Sequence, residues 1–217
     1  MATIFEDFFT DTNGTALESH TPDTGSGWSS PIVGTGYDIQ SNRAEKEQLT
    51  VAHTCNGLTE NDYQVYGDVR NEENNDRHGL MARVTDDRNG IWIRIQANGD
   101  NFRMTKFIDN TQSTVATSTA DTINTATQYA LRFDAAGTGA GQDFDGYFAG
   151  TLRLNPAAPN DAVLDDGEPG IGLLDGGSGS GSGVNIDNFR VESTAAGANP
   201  HGPLGHPLHG PFSGPVN

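Results

Sequence analysis

The chain has 217 residues, with 29 Asp and Glu against 12 Lys and Arg, so its formal net charge is -17. This balance argues against nucleic acid or an anionic membrane surface as the main partner, because both are bound through basic surfaces. The single cysteine, Cys55, excludes an internal disulfide bond and a thiolate metal cluster. The sequence shows no secretory signal and no apolar run near the roughly 20 residues that cross a bilayer.

Strand-like runs separated by turn signals fill the N-terminal third. The first is TIFEDFF at 3–9, which is rich in strand-favouring residues and is followed by an Asn-Gly turn signal. Four further runs of this kind lie at 27–33, 36–42, 47–53 and 62–71. A modest helical pattern is present in NRAEKEQ at 42–48. Abundant Gly, Thr, Asn and Asp also favour strands and tight turns over helices.

The best hairpin signals lie at residues 79–109. Asn-Gly pairs at 89–90 and 98–99 separate the runs LMARVT, IWIRIQ and FRMTKFI, and Asn-Gly is a strong short-range signal for a β-hairpin. In IWIRIQ the three isoleucines share one face, while Trp92 and Arg94 share the other. One apolar and one polar face are typical of antiparallel sheets.

Further strands are predicted in the C-terminal half, at 127–134 and 145–154. The runs before and after the Gly-Ser-rich segment 175–183 are predicted to form a hairpin with that segment as its loop, because both runs read as strands. The first and last strands of a β domain often pair, so 6–9 is expected beside 187–192. About ten strands at this spacing predict an all-β sandwich or barrel.

Four segments together resemble a concanavalin A-like jelly roll of the laminin-G-like type, as found in bacteriophage virion structural proteins and bacterial surface proteins. They lie at 6–28, 37–44, 79–95 and 184–192. The resemblance implies a two-sheet antiparallel β-sandwich over residues 1–193. It also implies a concave face of the kind that often binds glycans and rim loops of the kind that often bind calcium.

The acidic residues do not form the alternating pattern that glycanases of this sandwich use to flank a scissile bond with two carboxylates. The nearest candidates are Asp68 with Glu72 and Glu73, and Asp143 with Asp145. In the first group, Glu72 and Glu73 belong to NEENND, which is typical of a turn. In the second group, a third carboxylate at the same spacing is missing. Nucleophile-elbow, P-loop and zinc-protease motifs are also absent from the sequence. The sequence therefore predicts a protein that is not an enzyme.

The sequence offers candidate residues for two kinds of binding site on the domain. Calcium needs several oxygen ligands, which acidic turns supply at Asp11, Asn13, Asp86, Asp87, Asp165 and Asp166. The alternative is that these side chains bond their own backbone, as Asp and Asn usually do in turns. For glycans the predicted contact residues are Trp92, Arg94 and Tyr66, with Trp92 as an aromatic platform that could equally lie under a loop. Trp28 and Cys55 are expected to be buried.

Residues 194–217 are predicted to form an extended Pro/Gly-rich C-terminal arm. The ending HGPLGHPLHGPFSGPVN repeats every four residues, with proline third and an apolar residue fourth. The repeated prolines and the apolar anchors are Pro203, Pro207, Pro211, Pro215, Leu204, Leu208, Phe212 and Val216. Proline fixes φ and removes a donor, so a preorganised arm loses little entropy on docking. The alternative is a disordered tail, which this composition permits.

These features predict a structural virion protein, such as a capsid decoration, cement or tail-associated protein. Its arm would bind neighbouring subunits, which are a major capsid or tail protein and further copies of itself, by analogy as a trimer. It would be made in the host cytoplasm and lie on the exterior of the capsid or tail. The alternative is a lectin-like module that binds host surface glycans, for example on a tail fibre.

Overall fold

The computed structural model describes residues 1–32, 34, 36–46, 51–174 and 184–194. These residues form fifteen β-strands and three short 3₁₀-helices. The strands are β1 Ala2–Asp7, β2 Thr15–Ala16, β3 Asp38–Ile39, β4 Ala44–Lys46, β5 Val51–Thr54, β6 Tyr63–Arg70, β7 Arg77–Val84, β8 Gly90–Gln96, β9 Asn101–Ile108, β10 Thr111–Ser118, β11 Gln128–Ala136, β12 Asp143–Phe148, β13 Thr151–Leu154, β14 Glu168–Leu174 and β15 Val184–Ser193. The 3₁₀-helices are Leu17–Ser19, Gly139–Gly141 and Ala162–Leu164.

The strands form two antiparallel sheets with the apolar core between them. The first sheet has nine strands in the order β13-β12-β11-β6-β15-β4-β3-β2, and β1 pairs with β15 beside this path. The second has six strands in the order β10-β9-β8-β7-β14-β5. Val65 and Phe133 from the nine-stranded sheet and Ile93 and Ile171 from the six-stranded sheet belong to one core cluster. The predicted two-sheet antiparallel β-sandwich is therefore confirmed.

The two hairpins predicted from the Asn-Gly pairs are also confirmed. Strands β7, β8 and β9 are consecutive neighbours in the six-stranded sheet. Leu80 lies opposite Ile93, and Ile93 lies opposite Met104, so these three side chains form one row on the core side. Because side chains alternate along a strand, the residues between them point to the outer side of the sheet.

The predicted pairing of the first and last strands is confirmed, but the predicted hairpin between β14 and β15 is wrong. In the β1–β15 ladder Glu6 lies opposite Arg190. By contrast, β14 pairs with β5 and β7 in the six-stranded sheet, and β15 pairs with β1, β4 and β6 in the other. The chain therefore changes sheet between them. The predicted loop at 175–183 lies outside the described residues.

The helical possibility at 42–48 is wrong where the structure describes it. Ala44–Lys46 form β4, which pairs with β3 and β15. Ala44 is fully buried in the core, so pairing and burial override the weak local pattern. Residues 47–50 lie outside the described part of the chain.

Trp28 and Cys55 are both buried, as predicted. They form an isolated antiparallel bridge, and both belong to the main core cluster. Burial raises the pKa of the Cys55 thiol well above its ordinary value, so this side chain behaves as a small apolar group. Across the described residues, none of the helices has the length and apolar character required to cross a membrane.

Candidate functional site

The outer face of the six-stranded sheet carries a second apolar cluster, separate from the core. It is formed by Ala52, Met81, Val84 and Trp92, with Ile32 and Phe107 packed against it. Trp92 alternates along β8 with core residues Ile91 and Ile93, so the period of the strand turns it outward. The rings of Trp92 and Phe107 are stacked with their centroids 6.0 Å apart. Trp92 is only 2% exposed, so the half-buried Phe107 is the more accessible ring of the pair.

A pocket of about 240 Å³ opens over this cluster. The apolar side chains of the cluster line one part of it, and the β7–β8 turn at 86–89 lines another. Pockets with mostly apolar and aromatic walls and a few polar groups are the usual form of small-molecule and glycan sites. The outer face of this sheet is therefore the best candidate binding surface in the described structure.

Three arginines lie on the same face beside the aromatic pair. Arg94 lies opposite Arg103 in the β8–β9 ladder and opposite Gly79 in the β7–β8 ladder. Arg77 is two residues before Gly79, so it shares that face. The guanidinium of Arg94 lies 5.4 Å from the centroid of the Trp92 ring. Burial, and then the positive charges of Arg77 and Arg103, lower the pKa of Arg94 to about 10.

The same three arginines form no ion pair with any residue that the structure describes. Each of the other arginines of the chain does pair with a carboxylate. The side-chain hydrogen bonds of two of them are long: Arg94 donates to Gln96 Oε1, and Arg103 donates to Asn101 Oδ1, both at 3.4 Å. The cluster, which we call the arginine triad (Arg77, Arg94 and Arg103), is therefore a local positive patch on an acidic protein.

Tyr66, the third predicted glycan contact, lies on the opposite side of the sandwich. It belongs to β6 and faces outward from the nine-stranded sheet, where its hydroxyl donates to Gln64 Oε1 at 2.6 Å. The guanidinium of Arg190 lies 4.6 Å from the centroid of its ring. Because the core separates the two faces, Tyr66 and the Trp92–Arg94 surface are two distinct surfaces.

The six predicted calcium ligands occupy three separate turns. They are Asp11 and Asn13, Asp86 and Asp87, and Asp165 and Asp166. Several of them accept hydrogen bonds from nearby backbone: Asn13 from the Ser41 N–H and Asp86 from the Arg88 N–H. Within the described residues, no group of three or more His, Cys, Asp or Glu is arranged to hold a metal ion. Calcium binding stays a prediction.

The acidic residues closest to a catalytic pattern lie away from the apolar pocket. Asp68 accepts a hydrogen bond from Asn188 Nδ2 at 2.8 Å on the outer side of the nine-stranded sheet. Asp143 and Asp145 line a second pocket, of about 150 Å³, together with Asp134. Asp134 lies opposite Asp145 in the β11–β12 ladder, and burial raises its pKa.

The C-terminal arm at 194–217 lies almost wholly outside the described residues, which end at Thr194. Its eight predicted contact positions, from Pro203 to Val216, therefore have no structural outcome, and the arm stays a prediction.

Sequence analysis missed Arg77, Arg103 and Phe107 as members of the candidate site. The signal was present in FRMTKFI, where Arg103 and Phe107 alternate with the core residues Phe102 and Met104. Arg77 was not found because it stands at the very start of β7, before the apolar run that marked the strand.

No family profile and no curated protein matches the chain, but solved structures share its fold. The carbohydrate-binding module CBM66 from Bacillus subtilis aligns with a TM-score of 0.59 and 18% identity, covering 78% of this chain and 97% of that one. An alginate lyase in complex with alginate tetrasaccharide aligns with a TM-score of 0.55 and 13% identity, covering 88% and 97%.

A third match is domain 4 of AbnA, an extracellular arabinanase from Geobacillus stearothermophilus, in complex with arabinotriose. Its TM-score is 0.51 at 15% identity, covering 88% of this chain and 92% of that one. At such identities the likeness shows a shared β-sandwich jelly-roll fold. It agrees with the concanavalin A-like resemblance and shows no link to bacteriophage proteins.

Proposed function

We propose that the chain is a carbohydrate-binding module that binds glycan on the outer face of its six-stranded sheet. The observation that carries the proposal is the apolar pocket with the stacked Trp92–Phe107 pair directly beside Arg94. Sugar rings have an apolar face that packs on an aromatic ring, and their hydroxyls accept hydrogen bonds from a guanidinium. The half-buried Phe107 and the half-buried Arg103 offer the two kinds of contact on one surface.

The structural neighbours support this proposal over a virion role. By their names they are a carbohydrate-binding module, a lyase with alginate and an arabinanase domain with arabinotriose. Identities of 13–18% limit their weight to support. The capsid or tail role, the virion partners and the trimer gain no support from them and stay predictions that rest on the arm.

We propose binding without catalysis at this pocket. Of the described residues that line it, Asp86 and Asp87 are the carboxylates, and none is His, Tyr or Lys. A hydrolase needs a carboxylic acid with a raised pKa as its proton donor. The pKa of Asp86 is instead lowered, first by the hydrogen bond from the Arg88 N–H and then by that from Asn89. Asp86 is therefore unsuited to act as that acid.

A glycan array with the full chain, followed by titration calorimetry of the best ligand, tests the proposal. Phe107→Ala removes the accessible ring of the pair and should weaken binding by about fivefold, since such contacts contribute on the order of 1 kcal/mol. Tyr147→Ala is the matched control, because Tyr147, like Phe107, is a half-buried aromatic residue, but it lies on the other sheet. The guanidinium of Arg132 lies 3.4 Å from the centroid of its ring.

Equal affinity of both variants and the unchanged chain would place the ligand elsewhere. If the full chain binds none of the glycans on the array, the proposed function is overturned.

A further inference from the structure

We infer that the glycan bound at this site is acidic, a polymer of uronic acids whose carboxylates bind the arginine triad. This inference rests on the proposed function, because it names the chemical class of ligand for the same site. It is carried by the charge of the surface and by the unpaired donors on it.

The charge of the triad is unusual for this protein. The chain carries -17 overall, and every arginine outside the triad has a carboxylate beside it. Arg94 and Arg103 instead face each other across two strands, where like charges destabilise a sheet. An anion bound between them would remove this repulsion.

The unpaired polar atoms on the outer face of the six-stranded sheet can all donate a hydrogen bond. On the outer face of β7, β8 and β9, the described buried atoms without a hydrogen-bond partner are Arg77 Nε, Arg94 Nε, Arg103 Nε, Trp92 Nε1 and Thr105 Oγ1. The four nitrogen atoms can only donate, and the hydroxyl can donate as well. Buried donors are normally satisfied, so this face is complementary to a ligand rich in acceptors. A carboxylate accepts through both oxygens and fits the guanidinium fork.

The position of the triad beside the aromatic pair favours a sugar acid over other anions. Trp92 lies next to Arg94 on the same face of β8, with Thr105 opposite it on β9. A uronic acid presents an apolar ring face and a carboxylate on the same residue, so one sugar can contact the ring pair and the triad together. Nucleic acid is disfavoured, since it needs a broad basic surface.

The test measures binding of the full chain to polygalacturonate, to the same polymer after reduction of its carboxyl groups, and to a sulfated polysaccharide. Arg103→Gln is the site variant, since Arg103 is half-buried and no described carboxylate pairs with it that the change would leave unpaired. Arg190→Gln is the matched control on the opposite face, where Arg190 pairs with Glu192 at 3.2 Å. Thermal unfolding of each variant verifies its fold.

We expect the chain to bind polygalacturonate and to lose this binding when the carboxyl groups of the polymer are reduced. Arg103→Gln should weaken binding about tenfold or more, because charge-assisted hydrogen bonds exceed about 1.4 kcal/mol. Arg190→Gln should leave binding unchanged. Binding of the reduced polymer that depends on Phe107 and not on Arg103 would overturn the inference and keep the proposed function. Preference for the sulfated polymer alone would overturn the carboxylate assignment. Failure of every polymer and of the glycan array would overturn both.

Discussion

Arg94 and Arg103 lie directly opposite each other on neighbouring strands β8 and β9, and neither forms an ion pair in the described part of the chain. The aliphatic parts of two such side chains pack on the sheet, but their charges repel. Arg94 is 2% exposed, so water screens its charge less than it would screen a surface arginine. The free protein therefore maintains an unfavourable contact at the surface that we propose for binding.

Arg103→Gln is expected to stabilise the ligand-free protein. Removing one like charge of a directly opposed pair should raise the free energy of unfolding by about 0.5 kcal/mol. Urea denaturation of the variant and the unchanged chain measures this difference. Arg190→Gln should instead leave stability equal or slightly lower, because it removes the partner of Glu192. If Arg103→Gln were the more destabilising of the two, the repulsion within the triad would be refuted.

The features of this fold that the sequence predicts are those set by neighbouring residues, namely the facing of side chains along a strand and the hairpins. In IWIRIQ the alternation placed Trp92 and Arg94 on the face away from the isoleucines, and the structure has them there. The Asn-Gly pairs fixed which strands follow one another as hairpins. Both signals depend on neighbouring residues, so a single sequence contains them.

Pairing between distant strands could not be predicted in the same way. The strands β14 and β15 each carry a buried apolar run, and alternation does not determine which sheet such a run joins. The arginine triad depends on the same kind of information, since Arg77 joins it only through the pairing of β7 with β8. A glycan surface made from Trp92, Arg94 and Tyr66 together also needed Tyr66 to lie in the same sheet, which it does not.

Gly79→Ala is expected to destabilise the six-stranded sheet. Gly79 lies opposite Arg94, and a Cβ there would come within 1.9 Å of the Ile93 carbonyl oxygen. The backbones of β7 and β8 would have to separate, and such overpacking costs about 1–3 kcal/mol. Gly141→Ala is the control, since a Cβ at that position meets no atom within 4 Å. Thermal melts should show a lower Tm for Gly79→Ala only, and equal melts would mean that the sheet adjusts freely.

His78 is expected to make the protein less stable in acid. It is fully buried, its Nδ1–H donates to the Arg70 carbonyl oxygen at 3.4 Å, and its Nε2 accepts from the Tyr37 hydroxyl at 2.8 Å. Burial lowers its pKa from 6.5 to about 3. The folded state therefore binds fewer protons than the unfolded state in this window, so stability falls as the pH drops from 6.5 towards 3.

His78→Gln should flatten that acid limb by about 1 kcal/mol per pH unit, because glutamine does not titrate and its amide can still accept from Tyr37. Urea denaturation at a series of pH values measures the slope. An unchanged slope would show that another group controls the acid limb, and His53, whose pKa burial also lowers, is then the residue to replace.

His20 is expected to make the protein less stable as the pH rises, which is the opposite of the effect of His78. Its Nε2 lies 2.9 Å from Asp7 Oδ1 and its Nδ1 lies 3.2 Å from Asp11 Oδ2, so both nitrogens must carry a proton to donate to the two carboxylates. Burial opposes protonation of the ring, but the hydrogen bonds to Asp7 and Asp11 outweigh it, and the pKa of His20 is raised above 6.5. Its contribution to stability is full below pH 6.5 and is lost as the pH rises through the folded pKa.

NMR of the ring nitrogens should show His20 doubly protonated at pH 6, and His20→Gln should reduce the loss of stability as the pH rises above 6.5. The buried Asp7 also accepts from Trp28 Nε1 at 2.6 Å, so part of its environment persists in the variant. Comparison with His78→Gln provides the internal control, because that variant should alter the acid limb and leave the alkaline limb as it is. A neutral His20 at pH 6 would contradict the assignment, since one of its two nitrogens would then face a carboxylate without a proton to donate.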